Sequence, residues 1–383
     1  MKIKQNLKKI QMVDLQSQYS TIKKEINNAV LQVIENATFI NGPEVLNFKS
    51  NFEKYLNVAH VIPCANGTDA LQIALMGLGL KPGDEVITPS FTYIATTEVI
   101  ALLGLVPVFV DVDPNTFCID PTKIEAAITS KTKAIVPVHL YGQAAPMDEI
   151  MEIAKSHQLF VVEDNAQAIG CDFYHNDGRV SKTGTIGDIG CTSFFPSKNL
   201  GCYGDGGAMY TNNSELAANL KKIANHGQVV KYHHEVVGCN SRLDTIQAAI
   251  LNIKLPLLDS YCNARRKVAD FYDKAFKDIP QLITPYRSDR SSHVFHQYTL
   301  KLEEGVDRDK MIEFLNDKGI PSMVYYPIPA HKQKMFASFG LEDQDLPITN
   351  ELTTKVISLP IHTEMEEDQL EYICSQIKTF FNN

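Results

Sequence analysis

The segment from Leu159 to Gly207 constrains the fold and the chemistry more than any other part of this sequence. It opens with an apolar run at residues 159–162, which two acids, Glu163 and Asp164, follow directly. The run predicts a buried strand, and a carboxylate at the end of such a strand is costly unless a positive group meets it. Lys198 lies further along the segment, next to a serine and just before a glycine-rich turn.

A lysine, a carboxylate, hydroxyl groups and flexible backbone together suit one cofactor, pyridoxal phosphate (PLP). Lys198 would form the Schiff base, Asp164 would pair with the pyridinium nitrogen, and hydroxyl and backbone N–H groups would bind the phosphate. Each feature alone has a plainer explanation, because an acid pair after an apolar run usually marks a strand end at the surface. Their order along the chain makes the combination specific.

Three motifs in this segment resemble a known family. They are Glu-Asp-Asn-Ala-Gln at 163–167, Ser-Phe-Phe-Pro-Ser-Lys-Asn-Leu-Gly at 193–201, and Gly-Asp-Gly-Gly-Ala at 204–208. In these residues the chain is similar to the DegT/DnrJ/EryC1/StrS family of nucleotide-sugar aminotransferases. The resemblance extends over residues 14–360, and it implies the type I PLP-dependent, aspartate aminotransferase-like fold.

The spacing of apolar runs independently predicts an α/β fold. Short runs at 85–89, 107–112 and 134–138 are each separated from the next by a helical pattern. This alternation indicates a large domain with a mostly parallel sheet and helices on both faces. Ligands of such sheets bind beyond the carboxyl ends of the strands, where Asp164 would lie.

The length of 383 residues is too great for one small core and indicates more than one domain. We expect an N-terminal helical arm at 1–60, a PLP-binding large domain at 61–260 and a smaller α+β C-terminal domain at 261–383. One long amphipathic helix, at about 245–276, is expected to link the last two.

Gly67 and Thr68 mark a predicted helix start. Thr68 fits the N-cap of this helix, as Ser214 does for a later one, and capping alone would explain it. A helix start preceded by glycine also offers free N–H groups and a positive dipole end to an anion. The resemblance makes this the phosphate cradle.

The resemblance implies roles for four residues of the central segment. Lys198 is the catalytic Schiff-base residue, and its free amine moves protons during transfer. Asp164 keeps the ring nitrogen protonated, Gln167 bonds the 3-oxygen of the ring, and Ser193 is a further cofactor-binding residue.

Aromatic residues are more often core than cofactor platforms, yet the resemblance assigns two tyrosines to the site. Tyr93 matches the ring-stacking position better than Phe91, and Tyr326 is implied to contact the substrate. The sequence departs from the family pattern at Asn165, where alanine is usual, and at Tyr325, where histidine is frequent. These departures leave the hydrogen bonding near Asp164 and the sugar specificity open.

The Gly-x-Asn-x-Arg pattern at 238–242 resembles a family segment that crosses a dimer interface. It implies a homodimer with shared active sites, in which Asn240 contacts the PLP phosphate of the partner. Arg242 would bind the substrate or, alternatively, form a structural salt bridge.

The resemblance is closest to members that aminate UDP-linked 3-keto-N-acetylhexosaminuronates, with glutamate as the expected amino donor. A dTDP-linked 3-keto-6-deoxyhexose is the alternative substrate. A related sugar dehydratase is disfavoured because those members replace Lys198 with histidine. A non-enzymatic dinucleotide-binding or scaffold protein is disfavoured because the glycine-rich turn does not match Gly-x-Gly-x-x-Gly.

Composition excludes several other classes. The net charge of −9 argues against a nucleic-acid surface, and no apolar run reaches membrane-spanning length. The eight scattered cysteines show no metal spacing and suggest free thiols in the cytoplasm. His233 and His234 are adjacent but have no suitably spaced partner, so we expect no metal.

Overall fold

The computed structural model describes residues 7–382. Its α-helices are α1 (Leu15–Thr21), α2 (Lys23–Glu35), α3 (Pro43–Leu56), α4 (Gly67–Gly77), α5 (Ala95–Leu102), α6 (Ile124–Ala127), α7 (Met147–His157), α8 (Ser214–Ile223), α9 (Thr245–Lys254), α10 (Leu258–Phe276), α11 (Arg308–Asp317), α12 (Pro347–Lys355) and α13 (Glu367–Asn382). Its strands are β1 (His60–Cys64), β2 (Glu85–Pro89), β3 (Val106–Val110), β4 (Thr132–Ile135), β5 (Phe160–Asp164), β6 (Asp172–Tyr174), β7 (Val180–Lys182), β8 (Ile189–Ser193), β9 (Gly207–Thr211), β10 (Gln228–Val230), β11 (His233–His234), β12 (Leu282–Ile283), β13 (Tyr298–Leu302) and β14 (Val356–Leu359).

Among the described residues, seven strands form the central sheet in the order β1-β9-β8-β5-β4-β2-β3. Strand β9 runs antiparallel to both of its neighbours, and the pairings of β5 with β8 and of β2 with β3 are parallel. The predicted mostly parallel sheet and the α/β class are confirmed.

Two apolar cores cover the two faces of this sheet. Helices α3, α7 and α9 pack on one face, and α4, α5 and α8 pack on the other. Strand β5 contributes side chains to both cores, because successive side chains of a strand point to opposite faces. Val161 belongs to the first core and Val162 to the second, so Glu163 and Asp164 also part to opposite faces.

A third core lies in the C-terminal part of the chain. The antiparallel sheet β12-β13-β14 packs there with α10, α11 and α13. Ile10 also belongs to this core, so the N-terminal part of the described chain packs against its C-terminal part. Because this core is separate from those of the large sheet, it supports the boundary between 61–260 and 261–383. We propose residues 1–60 as an arm rather than a separate domain, since α3 packs on the large sheet.

Both predicted helix caps are wrong by one or two residues. Asn66 caps α4, since its side chain accepts from Asp69 N at 2.8 Å, and Thr68 lies inside the helix. Asn213 caps α8 in the same way, ahead of Ser214. Asparagine is among the strongest N-cap residues, so it takes the N-cap position in preference to the hydroxyl residue that follows it.

The single long helix predicted at 245–276 is in fact two helices. A 3₁₀ turn at Leu255–Leu257 separates α9 from α10. Pro256 lies in this turn, and its missing N–H and its ring interrupt α-helical hydrogen bonding.

Candidate active site

The carboxyl ends of β5 and β8 bring the central sequence motifs together. Asp164 is the last residue of β5 and Ser193 the last of β8, and these strands are direct neighbours in the sheet. The site therefore lies at the strand ends, where an open α/β sheet places its ligand.

Asp164 is only 6% exposed, and two groups hold its carboxylate. Thr96 Oγ1 donates to Oδ2 at 2.7 Å, and the backbone N–H of Ala166 donates to Oδ1 at 3.1 Å. A carboxylate can accept about four hydrogen bonds, so this one keeps capacity for a ligand. The sequence did not indicate Thr96, although a polar side chain on the buried face of α5 is an available signal.

The preceding residue, Glu163, is saturated by protein donors. It is fully buried, and its oxygens accept from the N–H groups of Gly184, Ile186 and Gly187 at 2.7, 2.7 and 2.6 Å. His139 Nε2 lies 2.8 Å from Glu163 Oε2. His139 Nδ1 accepts from a backbone N–H, so Nε2 carries the proton and donates to Glu163.

Lys198 lies half-buried on the loop after β8, and its backbone N–H bonds the carbonyl of Phe195 at 2.8 Å. Burial lowers the pKa of Lys198 to about 8, and the charge of Asp164 partly opposes this shift. The uncharged amine is therefore more populated near neutral pH than that of an ordinary lysine. The nearby His296 was not indicated by the sequence; burial first, and then the Lys198 charge, hold its pKa well below the usual value.

The start of α4 approaches Ser193 closely enough to form a cradle. A Cβ on Gly67 would lie 2.7 Å from the Ser193 Cβ, so only glycine fits there. Within residues 7–382, the N–H groups of Gly67 and Thr68 have no hydrogen-bond acceptor. Free N–H groups at a helix N-terminus and a serine hydroxyl suit a phosphate.

Three predicted residues meet on the other side of the site. The rings of Tyr93 and Tyr326 lie 6.1 Å apart between centroids. Gln167 Nε2 donates to the Tyr326 hydroxyl at 2.8 Å, and Gln167 Oε1 accepts from Tyr141 N at 2.7 Å. Tyr93 is 56% exposed, whereas Phe91 is fully buried in the core. Tyr93 is thus the one of the two that can present a ring face to a ligand.

The segment with Asn240 and Arg242 flanks the cradle of its own chain. Ser241 Oγ accepts from Ala65 N at 3.0 Å, two residues before Gly67. Asn240 itself is exposed. Arg242 makes no salt bridge within the described part of the chain, and its buried Nε has no hydrogen-bond partner there. The structural salt bridge considered for Arg242 does not form among these residues.

Neither departure from the family pattern hydrogen-bonds the Asp164 carboxylate among residues 7–382. Asn165 Nδ2 donates to Thr183 O at 2.9 Å and lies 2.7 Å from the Tyr210 hydroxyl. The carbonyl of Tyr325 accepts from the Tyr141 hydroxyl, and burial raises the pKa of the Tyr325 phenol, which stays neutral. Asn165 therefore acts on the opposite face of β5 from the candidate cofactor site.

These groups fit PLP, which would place its phosphate at the cradle, its ring nitrogen at Asp164 and its aldehyde at Lys198. No cluster of three or more potential metal ligands occurs among residues 7–382. His233 and His234 lie exposed on β11. In the same range, none of the helices has both the length and the apolar character needed to cross a membrane.

Comparison with known proteins identifies the family. A family model described as the DegT/DnrJ/EryC1/StrS aminotransferase family matches residues 20–378. A Geobacillus stearothermophilus protein named pleiotropic regulatory protein is 45% identical over 98% of this chain and 99% of its own length. UDP-2-acetamido-2-deoxy-3-oxo-D-glucuronate aminotransferase of Pseudomonas aeruginosa is 44% identical, with 96% and 99% covered.

Two further matches agree. UDP-N-acetyl-3-dehydro-alpha-D-glucosamine 3-aminotransferase of Acidithiobacillus ferrooxidans is 44% identical, with 96% of this chain and 97% of the relative covered. The crystal structure of NtdA from Bacillus subtilis, described with bound cofactor PMP, superimposes with a TM-score of 0.91 at 32% identity, with 99% and 87% covered.

The chain belongs to the DegT/DnrJ/EryC1/StrS aminotransferase family. The predicted fold class, enzyme class and cofactor, those of a PLP-dependent aminotransferase, are confirmed at the level of this family.

Proposed function

We propose that the protein transfers an amino group from glutamate to a nucleotide-linked 3-keto sugar and so makes the 3-amino sugar. The observation that carries the proposal is the buried, incompletely hydrogen-bonded carboxylate of Asp164 at the end of β5, next to β8 and the loop that carries Lys198. Burial also lowers the pKa of Lys198 to about 8. A lysine that loses its proton near neutral pH can act both as a nucleophile and as a base.

Each residue of the site has one task in this proposal. When bound, PLP supplies a reactive aldehyde and a ring that accepts electrons. Lys198 Nζ holds the cofactor and, once free, carries the proton that leaves the Cα of the amino donor. Asp164 stabilises positive charge on the ring nitrogen, while Gln167 bonds the ring oxygen and Tyr93 covers the ring face.

The phosphate of the cofactor is assigned to the start of α4. The N–H groups of Gly67 and Thr68 have no other acceptor among residues 7–382, and the Ser193 side chain lies against Gly67. The positive end of the helix dipole adds to these hydrogen bonds.

The substrate in this proposal is a UDP-linked 2-acetamido-3-keto-hexuronate. Two relatives at 44% identity are named for UDP-linked 3-oxo sugars, which supports the nucleotide and the position of amination. The half-buried Arg242 has no carboxylate partner within residues 7–382, and a bidentate arginine suits the sugar carboxylate. Tyr326 is assigned to the sugar because its ring lies beside Tyr93.

The amino donor and the acceptor can be tested together. Purified protein is given ¹⁵N-glutamate and either the UDP-linked 3-keto uronate or a dTDP-linked 3-keto-6-deoxyhexose, and the sugar product is analysed by mass spectrometry. We expect ¹⁵N in the UDP-linked product. Label only in the dTDP-linked product would make the deoxyhexose the substrate, and label in neither would contradict the aminotransferase proposal for these sugars.

The active unit in this proposal is a cytoplasmic homodimer, in which Asn240 reaches the partner's cofactor. The hairpin of β10 and β11 and the residues after it expose apolar side chains that a partner would cover, namely Val229, Val230, Tyr232, Val236 and Val237. All eight cysteines are free, which fits a reducing compartment.

Complementation between two inactive chains tests the shared site. In a mixed dimer of Lys198→Ala and Asn240→Ala chains, one site regains both residues if Asn240 acts on the partner. We expect partial recovery of activity after subunit exchange. Exchange without recovery would mean that Asn240 serves the cradle of its own chain, beside which Ser241 is bound.

A further inference from the structure

A chain of two threonine hydroxyls from the start of α5 holds the carboxylate of Asp164. Thr96 Oγ1 donates to Asp164 Oδ2 at 2.7 Å, and Thr92 Oγ1 lies 3.0 Å from Thr96 Oγ1. An ionised carboxylate only accepts, so the single hydroxyl hydrogen of Thr96 is committed to Asp164. Thr92 must therefore donate to Thr96, which fixes the direction of both hydrogen bonds.

The side chains of Thr92, Thr96 and Asp164, which these two hydrogen bonds connect, are all shielded from solvent. Thr92 is 5% exposed, Thr96 1% and Asp164 6%. Water therefore cannot replace a lost hydroxyl at its place, and a hydrogen bond to a charged group is stronger than one between neutral groups. The bond from Thr92 also polarises the Thr96 hydroxyl and so strengthens its bond to the carboxylate.

We infer that Thr96 is a positioning residue for the cofactor and that Thr92 supports it. Oδ2 is fixed by Thr96 and Oδ1 by the Ala166 N–H, so the carboxylate cannot rotate freely about its last bond. The remaining acceptor capacity then keeps a constant direction, as pairing with the ring nitrogen of a bound PLP would require. This inference rests on the proposed function, because only a bound PLP ring gives Asp164 that partner.

The neighbouring Thr97 provides a matched control. It lies on the same helix and is fully buried, but its hydroxyl donates to the carbonyl of Ile94 at 3.0 Å. Replacing either threonine with valine removes one hydroxyl and keeps the shape. Only the change at Thr96 removes a hydrogen bond from Asp164.

The test compares Thr96→Val, Thr96→Ser, Thr92→Val and Thr97→Val with the unsubstituted chain. Each protein is titrated with PLP to obtain its dissociation constant, and its visible absorption is recorded. The rate of amino transfer from glutamate to the bound cofactor is then measured. We expect Thr96→Val to weaken PLP binding about tenfold and to slow transfer at least as much, from the loss of one charge-assisted hydrogen bond.

The other variants decide whether the hydroxyl is responsible. Thr96→Ser and Thr97→Val should remain within about threefold of the unsubstituted chain, and Thr92→Val should fall between these and Thr96→Val. Equal behaviour of Thr96→Val and Thr97→Val would overturn the inference, as would a Thr96→Ser protein as impaired as Thr96→Val. A folded, unsubstituted chain that takes up no PLP would instead overturn the proposed function, and this inference with it.

Discussion

Glu163 and Asp164 are neighbours on one strand, yet their surroundings differ in kind. Glu163 faces the loop at 183–187 and accepts four hydrogen bonds, from three backbone N–H groups and His139. Asp164 faces α5, and within residues 7–382 its carboxylate accepts hydrogen bonds only from Thr96 and Ala166. A saturated buried carboxylate ties the fold together, whereas an unsaturated one can still bind a ligand. We therefore expect Glu163 to stabilise the fold and Asp164, on the opposite face of β5, to bind a ligand.

The largest expected effect is on activity, at Asp164. The Asp164→Asn protein should fold normally but lose on the order of 10³-fold in turnover, because the ring nitrogen loses its anionic partner. Steady-state kinetics and a thermal melt of the same sample check both parts. Near-normal turnover of this protein would remove Asp164 from the proposed mechanism.

The opposite pattern is expected at Glu163. In Glu163→Gln an amide N–H₂ group faces backbone donors, so the free energy of unfolding should fall by about 3 kcal/mol. Urea unfolding measures the loss, and the exposed Glu152→Gln is the matched control. If Glu163→Gln were as stable as the control, the structural role of Glu163 would be wrong.

The pH dependence of PLP capture by Lys198 should respond to a change at Asp164 but not to a change at Glu163. Only the unprotonated amine reacts with an aldehyde, so the rate of PLP capture by cofactor-free protein should rise with pH through a midpoint near 8. The charge of Asp164 raises the pKa of Lys198, so Asp164→Asn should move the midpoint lower. Glu163→Gln should leave it in place. A midpoint near 10.5, the ordinary lysine value, would contradict the burial of this amine.

The smallest effect is expected at Asn165, which lies on the Glu163 side of the strand. Asn165→Ala removes the hydrogen bond to Thr183 O and the contact with the Tyr210 hydroxyl, which should cost about 1 kcal/mol of stability. The dissociation constant of PLP should stay within twofold. A marked change in PLP affinity would show that this departure from the family pattern acts on the cofactor.

Much of the fold and of the candidate site could be predicted from the sequence, because the residues proposed to bind PLP occur in local motifs. The alternation of strands and helices indicated the sheet. The apolar run before Glu163 and the loop of Lys198 indicated where along the strand ends the candidate site lies. The roles of the two acids could not be separated in this way. Their partners, His139, Gly184 and Thr96, lie far apart in the chain and meet only after the sheet has formed.

The predicted helix boundaries were wrong for a different reason. Thr68 and Ser214 are acceptable N-caps, but Asn66 and Asn213 precede them and reach the free N–H groups first. Which of two neighbouring residues becomes the N-cap depends on their backbone dihedral angles, and the sequence pattern does not determine these angles. Pro256 was a visible signal, and its interruption of the predicted long helix follows from the loss of one N–H.

The central claim, that Lys198 binds the cofactor opposite Asp164, is tested most directly by covalent trapping. The protein is incubated with PLP, reduced with borohydride and digested, and the labelled peptide is identified by mass spectrometry. We predict a single label on the peptide that contains Lys198, and none on this peptide in Lys198→Ala. Labelling of a different lysine, such as the buried Lys254, with Lys198 unmodified would contradict the account.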